Sequence, residues 1–268
     1  RKPTDDVGGP PFVTAKAWCV GDAATRNVAH GDKLDERRDI ASTTKLMTAY
    51  VILKQAETKP EILQDVITFS SKADDTPGST AGVRAGEMVT VADLLYGLML
   101  PSGNDAATAF SEHFGTTLPV VEGQPNDPAT RFIALMNATA AELKMDATRY
   151  ANPHGLTHVD HKSTARDQFQ LACAALQLPA LRTVINTRQH RTEVSGQAGY
   201  RRVIVWKNTN RLLDIEGYEG VKTGTTDAAG ACLISLAKRD GVEAITVVLG
   251  SSSSDARYTD SRNIFRYF

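Results

Sequence analysis

The sequence predicts an α+β protein in which one antiparallel sheet is assembled from both ends of the chain and a mainly helical middle is inserted between them. Three observations carry this. Short runs rich in β-branched and aromatic residues gather near the start and after residue 200. The stretch from about 60 to 179 repeats its apolar residues at helical spacing, and an Asp-Gly pair joins two apolar runs close to the C-terminus. The expected organisation is a single domain over 1–268, with a sheet lobe of about 1–45 and 200–268 and a helical lobe of about 46–199.

Residues 12–20 mix β-branched and aromatic side chains, and Gly21-Asp22 turns the chain towards a short stretch at 27–30, which reads as a hairpin. Over 42–53 the apolar residues Leu46, Met47, Ala49, Tyr50, Val51, Ile52 and Leu53 point round every side of a helix, so that helix is expected in the core. Periodic segments at 91–100, 105–114, 129–143 and 165–176 predict further helices, separated by Pro, Gly and Asn clusters. Strands return at 203–206, 220–225, 231–237 and 244–249, with Arg239-Asp240-Gly241 turning the last hairpin. Residues 256–268 predict a final helix packed on the sheet through Tyr258, Ile264, Phe265 and Phe268. A cleft between the lobes is the expected site.

Of the 268 residues 41% are hydrophobic, which supplies a core and excludes a disordered or fibrous chain. The 30 Lys and Arg against 31 Asp and Glu leave a net charge of -1, with no basic surplus for a phosphate backbone, so nucleic acid is not an expected partner. No apolar run approaches the ~18 to 20 residues that cross a bilayer, and the opening Arg1-Lys2-Pro3-Thr4-Asp5-Asp6 is not a secretory leader. A soluble chain is expected, with any leader or anchor lying outside it. Cys19, Cys173 and Cys232 form an odd set without a C-x-x-C pair, which excludes a disulfide scaffold and a zinc ribbon. They read as small buried hydrophobes, with one pairing left open. Trp18 and Trp206 read as core residues of the sheet.

Three short patterns can carry chemistry. The first, Ser42-Thr43-Thr44-Lys45, opens the buried helix, and a spacing of three puts the Ser42 hydroxyl and the Lys45 amine on one face. The helix N-terminus directs free N–H groups towards an oxyanion formed beside Ser42. At the reference pKa of ~10.4, an ammonium costs roughly 4.6 kcal/mol to deprotonate at pH 7, and burial with a second cation nearby supplies shifts of that size. The second, Ser102-Gly103-Asn104, lies where Pro101 ends one helix and Asp105 begins another, so its hydroxyl and amide can enter the cleft to relay a proton and bind a carbonyl. The third, Lys222-Thr223-Gly224, sits in a strand. Lys222 supplies the second cation, Thr223 can bind a carboxylate, and Gly224 leaves room for a substrate backbone, while the N–H of Thr225 can join that of Ser42 in an oxyanion hole. Each pattern alone is common as an N-cap, a turn or a strand segment. His154, His158 and His161 with Asp160 read as a polar loop, not as a zinc site, because no helix holds them on one face.

Taken together and in this order, the patterns are far more specific. The chain resembles the serine-type D-alanyl-D-alanine carboxypeptidases, the low-molecular-mass penicillin-binding proteins, over nearly its whole length. Residues 40–49, Ser102-Gly103-Asn104-Asp105-Ala106, Asn152-Pro153-His154-Gly155-Leu156, Ser163-Thr164-Ala165-Arg166-Asp167 and Asn208-Thr209-Asn210-Arg211-Leu212-Leu213 also look like segments of that family. The resemblance implies a β-lactamase/transpeptidase-like fold with a five-stranded antiparallel sheet. It implies a peptidoglycan stem peptide as substrate, an extracytoplasmic location, β-lactams as covalent inhibitors and no cofactor or metal. In the implied mechanism neutral Lys45 activates Ser42, Ser102 and Lys222 pass a proton to the leaving D-alanine, and Asn104 holds the acyl side. Thr223 receives the free carboxylate together with Arg257, which resembles a carboxylate-holding Arg of the family. Two rivals are a β-lactamase of the same fold, for which no E-x-x-L-N is found between the second and third patterns, and a catalytically silent module that holds peptidoglycan or a partner protein.

Overall fold

A computed structural model of the protein describes residues 10–268 apart from 121, 124, 197, 198 and 240, so the opening residues and Asp240 of the expected hairpin turn lie outside the described residues. In chain order the strands are β1 (Ala17–Asp22), β2 (Asn27–Asp32), β3 (Val66–Thr68), β4 (Met88–Thr90), β5 (Gln189–Ser195), β6 (Arg201–Lys207), β7 (Tyr218–Thr226), β8 (Gly230–Arg239) and β9 (Val242–Ser251). The helices are α1 (Lys45–Thr58), α2 (Ser71–Asp74), α3 (Val91–Met99), α4 (Asn104–Gly115), α5 (Pro128–Glu142), α6 (Ala165–Ala175), α7 (Pro179–Asn186) and α8 (Ala256–Tyr267).

The main sheet is antiparallel with the order β2-β1-β9-β8-β7, so the two ends of the chain meet where β1 pairs with β9 from Ala17↔Leu249 to Asp22↔Ala244. Both faces are covered. Cys19, Ile234, Val247 and Leu249 face the helical side, while Trp18, Val20, Leu233 and Val248 face α8. Alternate residues therefore serve two cores, which is why β9 reads as an unbroken apolar run. On α8, Tyr258 and Ile264 are buried and Phe265 is partly buried, whereas Phe268 lies beyond the helix and is exposed. Helix α1 is buried on all sides over its first nine residues, from Lys45 to Leu53, and threads the middle of the larger core.

Three expectations need correction. The first strand begins at Ala17, with Phe12 exposed, and it runs through Gly21 and Asp22; the turn comes after them, with Arg26 at φ 60. The strand expected at 203–206 is part of β6, which is outside the terminal sheet. It forms the edge of a second, four-stranded sheet ordered β3-β4-β5-β6, and Trp206 is buried there, not in the terminal sheet. The mainly helical middle of the chain thus also contributes strands to a sheet of its own, which was not expected. Its partner β5 reads Gln-His-Arg-Thr-Glu-Val-Ser with only Thr192 and Val194 buried, and β3 and β4 have three residues each, so no apolar run announces them.

Candidate active site

Ser42 lies in a 3-10 turn, Ala41–Thr44, that leads directly into α1, so the first pattern, Ser42 to Lys45, straddles two kinds of helix instead of opening one. Lys45 is completely buried, while Ser42 is partly accessible. Lys45 Nζ is 2.8 Å from Ser42 Oγ, 2.6 Å from Asn104 Oδ1 and 2.8 Å from the carbonyl of His154. Two of these partners are carbonyl oxygens, which only accept. A neutral amine has two N–H groups and one lone pair, so donating to both carbonyls leaves the lone pair for the Ser42 hydroxyl proton. Burial, and then the charge of Lys222, hold the amine well below its usual basicity, against an opposing effect of Asp105.

Lys222, Thr223 and Gly224 are buried on β7, the strand at the open edge of the main sheet, and Thr225 is exposed. Lys222 Nζ donates to the carbonyl of Thr223 at 3.0 Å. Burial and the nearby Arg257 guanidinium lower Lys222 to about 7. A Cβ on Gly224 would lie 2.7 Å from the Ser42 nitrogen and 3.0 Å from that of Thr43. The missing side chain lets β7 close on the turn that carries Ser42, a different reason for glycine from the room for substrate that the sequence suggested.

The second pattern joins α3 to α4. Ser102 has φ 68, an αL conformation that strains a non-glycine residue, and its Oγ is buried without a hydrogen-bond partner. Asn104 uses both ends of its amide inside the protein, because Oδ1 accepts from Lys45 and Nδ2 donates to Pro77 O at 2.6 Å. Its Oδ1 therefore holds the lysine, while the second hydrogen on Nδ2 remains for another acceptor. Arg257 donates to Gly224 O at 3.2 Å and to Thr225 Oγ1 at 3.0 Å, whereas Thr223 Oγ1 pairs with Thr209 Oγ1 at 2.8 Å. The hydroxyl joined to the guanidinium is that of Thr225.

Sequence reasoning missed four contributors. The His154 carbonyl is backbone and leaves no mark in residue type. It is held by Asn152, whose Oδ1 accepts from Gly155 N at 2.7 Å, and by Thr48, which donates to Pro153 O at 2.6 Å. Asp105 is buried and accepts from the nitrogens of Ala81, Gly82 and Ala106 and from Thr80 Oγ1, fixing the start of α4; its place directly after Asn104 was the available signal. Thr209 lay in a segment noted only for resemblance. His161 accepts from Ala151 N on Nδ1, so its Nε2–H donates to Thr44 Oγ1 at 2.8 Å, which in turn donates to Ala41 O and braces the 3-10 turn.

These buried groups set the dependence of stability on pH. Lys222 falls from 10.5 to about 7 on folding and Lys45 shifts the same way, so above about pH 7 the unfolded chain binds more protons and stability rises with pH. The free, buried thiols oppose this above 9.0: burial pushes Cys173 to about 12, Cys232 to about 11, and Cys19 upward as well. Burial lowers His154 to about 3 and His161 to about 4 from 6.5, so stability is lost as pH falls below 6.5. The melting temperature is expected to climb from pH 7 to about 9 and then turn over. A curve that falls across that interval would contradict neutral burial of the two lysines.

A family model described as D-alanyl-D-alanine carboxypeptidase, peptidase S11, matches residues 5–253. The D-alanyl-D-alanine carboxypeptidase of Streptomyces strain K15 is 34% identical over 96% of this chain and 88% of its own length. The carboxypeptidase DacC of Escherichia coli is 31% identical over 96% of this chain, which spans 63% of that relative. The crystal structure of the Streptomyces K15 DD-transpeptidase superposes with a TM-score of 0.88 at 34% identity, covering 97% of this chain and 98% of that one. The five-stranded antiparallel sheet flanked by helices is thus the fold of those enzymes, and the chain belongs to the D-alanyl-D-alanine carboxypeptidase family, serine-type peptidases S11.

Proposed function

We propose that the protein removes the terminal D-alanine from D-Ala-D-Ala stem peptides of peptidoglycan through an acyl-enzyme on Ser42, and that β-lactams acylate the same hydroxyl. The observation that carries the reading is the buried Lys45 amine, 2.8 Å from Ser42 Oγ with its N–H groups directed to two carbonyls. As Oγ bonds to the penultimate carbonyl carbon, the Ser42 proton passes to the lysine lone pair and the carbonyl π electrons move onto oxygen, which the N–H groups of Ser42 and Thr225 receive. Collapse breaks the C–N bond, and the departing amine takes a proton through Ser102 and Lys222. Thr223 and Thr225, backed by the Arg257 charge, receive the free carboxylate. Asn104 steadies Lys45 throughout. Water then hydrolyses the ester, so only groups of the chain and water take part. An extended peptide can align along the open edge of β7, and a peptidoglycan substrate places the enzyme outside the cytoplasm.

Gly103 weighs against the β-lactamase reading, whose second pattern usually carries Asp at that position. A Cβ there would lie 2.6 Å from Asp105 Oδ1, 2.8 Å from Ala81 N and 2.9 Å from Gly97 O, so this loop has no room for one. Mass spectrometry after incubation with penicillin tests both readings. The expected result is a single adduct on the peptide that contains Ser42, lasting minutes or longer, together with release of D-alanine from a D-Ala-D-Ala peptide. An adduct that turns over at once indicates a lactamase. No adduct and no D-alanine would leave the silent binding module standing.

A further inference from the structure

Tyr258 lies outside the three motifs, yet it joins the two sides of the pocket assigned to the substrate carboxylate. Two guanidinium groups lie over its ring, Arg211 at 4.6 Å and Arg257 at 5.0 Å from the centroid. Its hydroxyl is 2.9 Å from Thr209 O and 3.3 Å from Arg257 Nη2. A guanidinium cannot accept, so the single phenolic proton goes to Thr209 O and a lone pair meets Arg257. The same reasoning applies to Thr225. Its Oγ1 accepts from Arg257 Nη1, which leaves its own proton free to point towards a bound anion. Thr209, held by the phenol through its carbonyl, places its side-chain hydroxyl 2.8 Å from that of Thr223. Arg257 is buried and its Nε has no partner, so the bonds of its two terminal nitrogens, to Tyr258, Gly224 and Thr225, fix its orientation.

We infer that Tyr258 is a positioning residue for recognition of the substrate's terminal carboxylate. One phenol orients Arg257, and so the Thr225 hydroxyl, on one side of the pocket, and Thr209, and so the Thr223 hydroxyl, on the other. The ring stacking keeps the buried guanidinium from rotating towards its unpartnered nitrogen. This rests on the reading of Thr223, Thr225 and Arg257 given under the proposed function.

The test compares two substrates that share an acyl group: a D-Ala-D-Ala peptide, and an ester whose leaving group carries no carboxylate. Tyr258→Phe keeps the ring and removes only the hydroxyl. It is expected to raise KM for the peptide about tenfold, the effect of one lost bond to a charged group, with kcat changed less than about threefold and kcat/KM for the ester unchanged. Arg257→Ala should lower the peptide-to-ester ratio of kcat/KM further, and adding Tyr258→Phe to it should lower the ratio by less than Tyr258→Phe does alone, since only the arm through Thr209 is left for it to remove. Equal losses on both substrates in Tyr258→Phe would mean a purely structural role and overturn the inference. If Arg257→Ala shifts the ratio and Tyr258→Phe does not, the inference falls alone. If Arg257→Ala leaves the ratio unchanged, the carboxylate reading falls and takes the inference with it.

Discussion

Replacing Lys45 with methionine is expected to slow acylation of Ser42 by penicillin by roughly 10⁴-fold, the upper range for losing a positioned general base. Methionine is close to lysine in length and lacks the amine, so the residual rate reports the oxyanion site and binding alone. The fold should survive. The substitution leaves Asn104 Oδ1 and the His154 carbonyl without their donor, at a cost of about 1–3 kcal/mol each, and it also removes the desolvation of a buried amine, which acts the other way. Lys45→Arg separates base from charge. Arginine places a permanent cation beside Ser42 where the wild type has a neutral amine, and it cannot give up its proton at any working pH, so a base mechanism predicts a loss as deep as that of methionine. Stopped-flow acylation measured on both variants decides the matter. An arginine variant within about tenfold of wild type would mean that Lys45 acts through its field and not its lone pair.

What the sequence revealed of this site, and what it hid, follows from which chemical groups do the work. Ser42 and Lys45 sit one turn apart in the chain, and helical spacing alone brings them together whatever surrounds them. Ser102, Asn104 and Lys222 were legible as residue types on suitable elements, although the direction of the Asn104 amide depends on Pro77 and Lys45, far away in sequence. The glycines show the limit most clearly. Gly224 was expected to make room for a ligand, but a chain cannot announce that its own 3-10 turn will pass 2.7 Å from the absent Cβ. The His154 carbonyl escaped for a related reason, since every residue has one. In the fold, the long apolar strands β8 and β9 and the periodic helices declared themselves, while the polar β5 gains its place from partners on either side, β4 and β6.

Gly155→Ala is expected to damage both stability and chemistry, although no side chain is lost from the site. Gly155 has φ 92, a backbone conformation that costs an L-residue roughly 1–2 kcal/mol, and its added Cβ would lie 1.9 Å from the carbonyl oxygen of Ala41 and 2.4 Å from the carbonyl carbon. Both obstacles are backbone, and Ala41 is itself at φ 48 in the turn that carries Ser42, so neither side yields by rotating a side chain. The loop of Asn152 to Leu156 and the 3-10 turn must separate by roughly 1.5 Å to bring this approach out to van der Waals contact. That movement draws the His154 carbonyl away from Lys45 Nζ, frees one of the two N–H groups that aim the lone pair, and slackens the approach to Ser42 Oγ. A misplacement of that size costs about 10²-fold in rate, and strain of 2–3 kcal/mol lowers the melting temperature by roughly 5–10 °C. Gly86→Ala supplies the comparison. Gly86 has a similar φ of 82 with nothing within 4 Å of the added carbon, so it shares the conformational strain and lacks the collision. It should lose a few degrees and acylate at the wild-type rate. Should the two variants melt alike and acylate alike, the contact between this loop and the turn is not what holds the base in place.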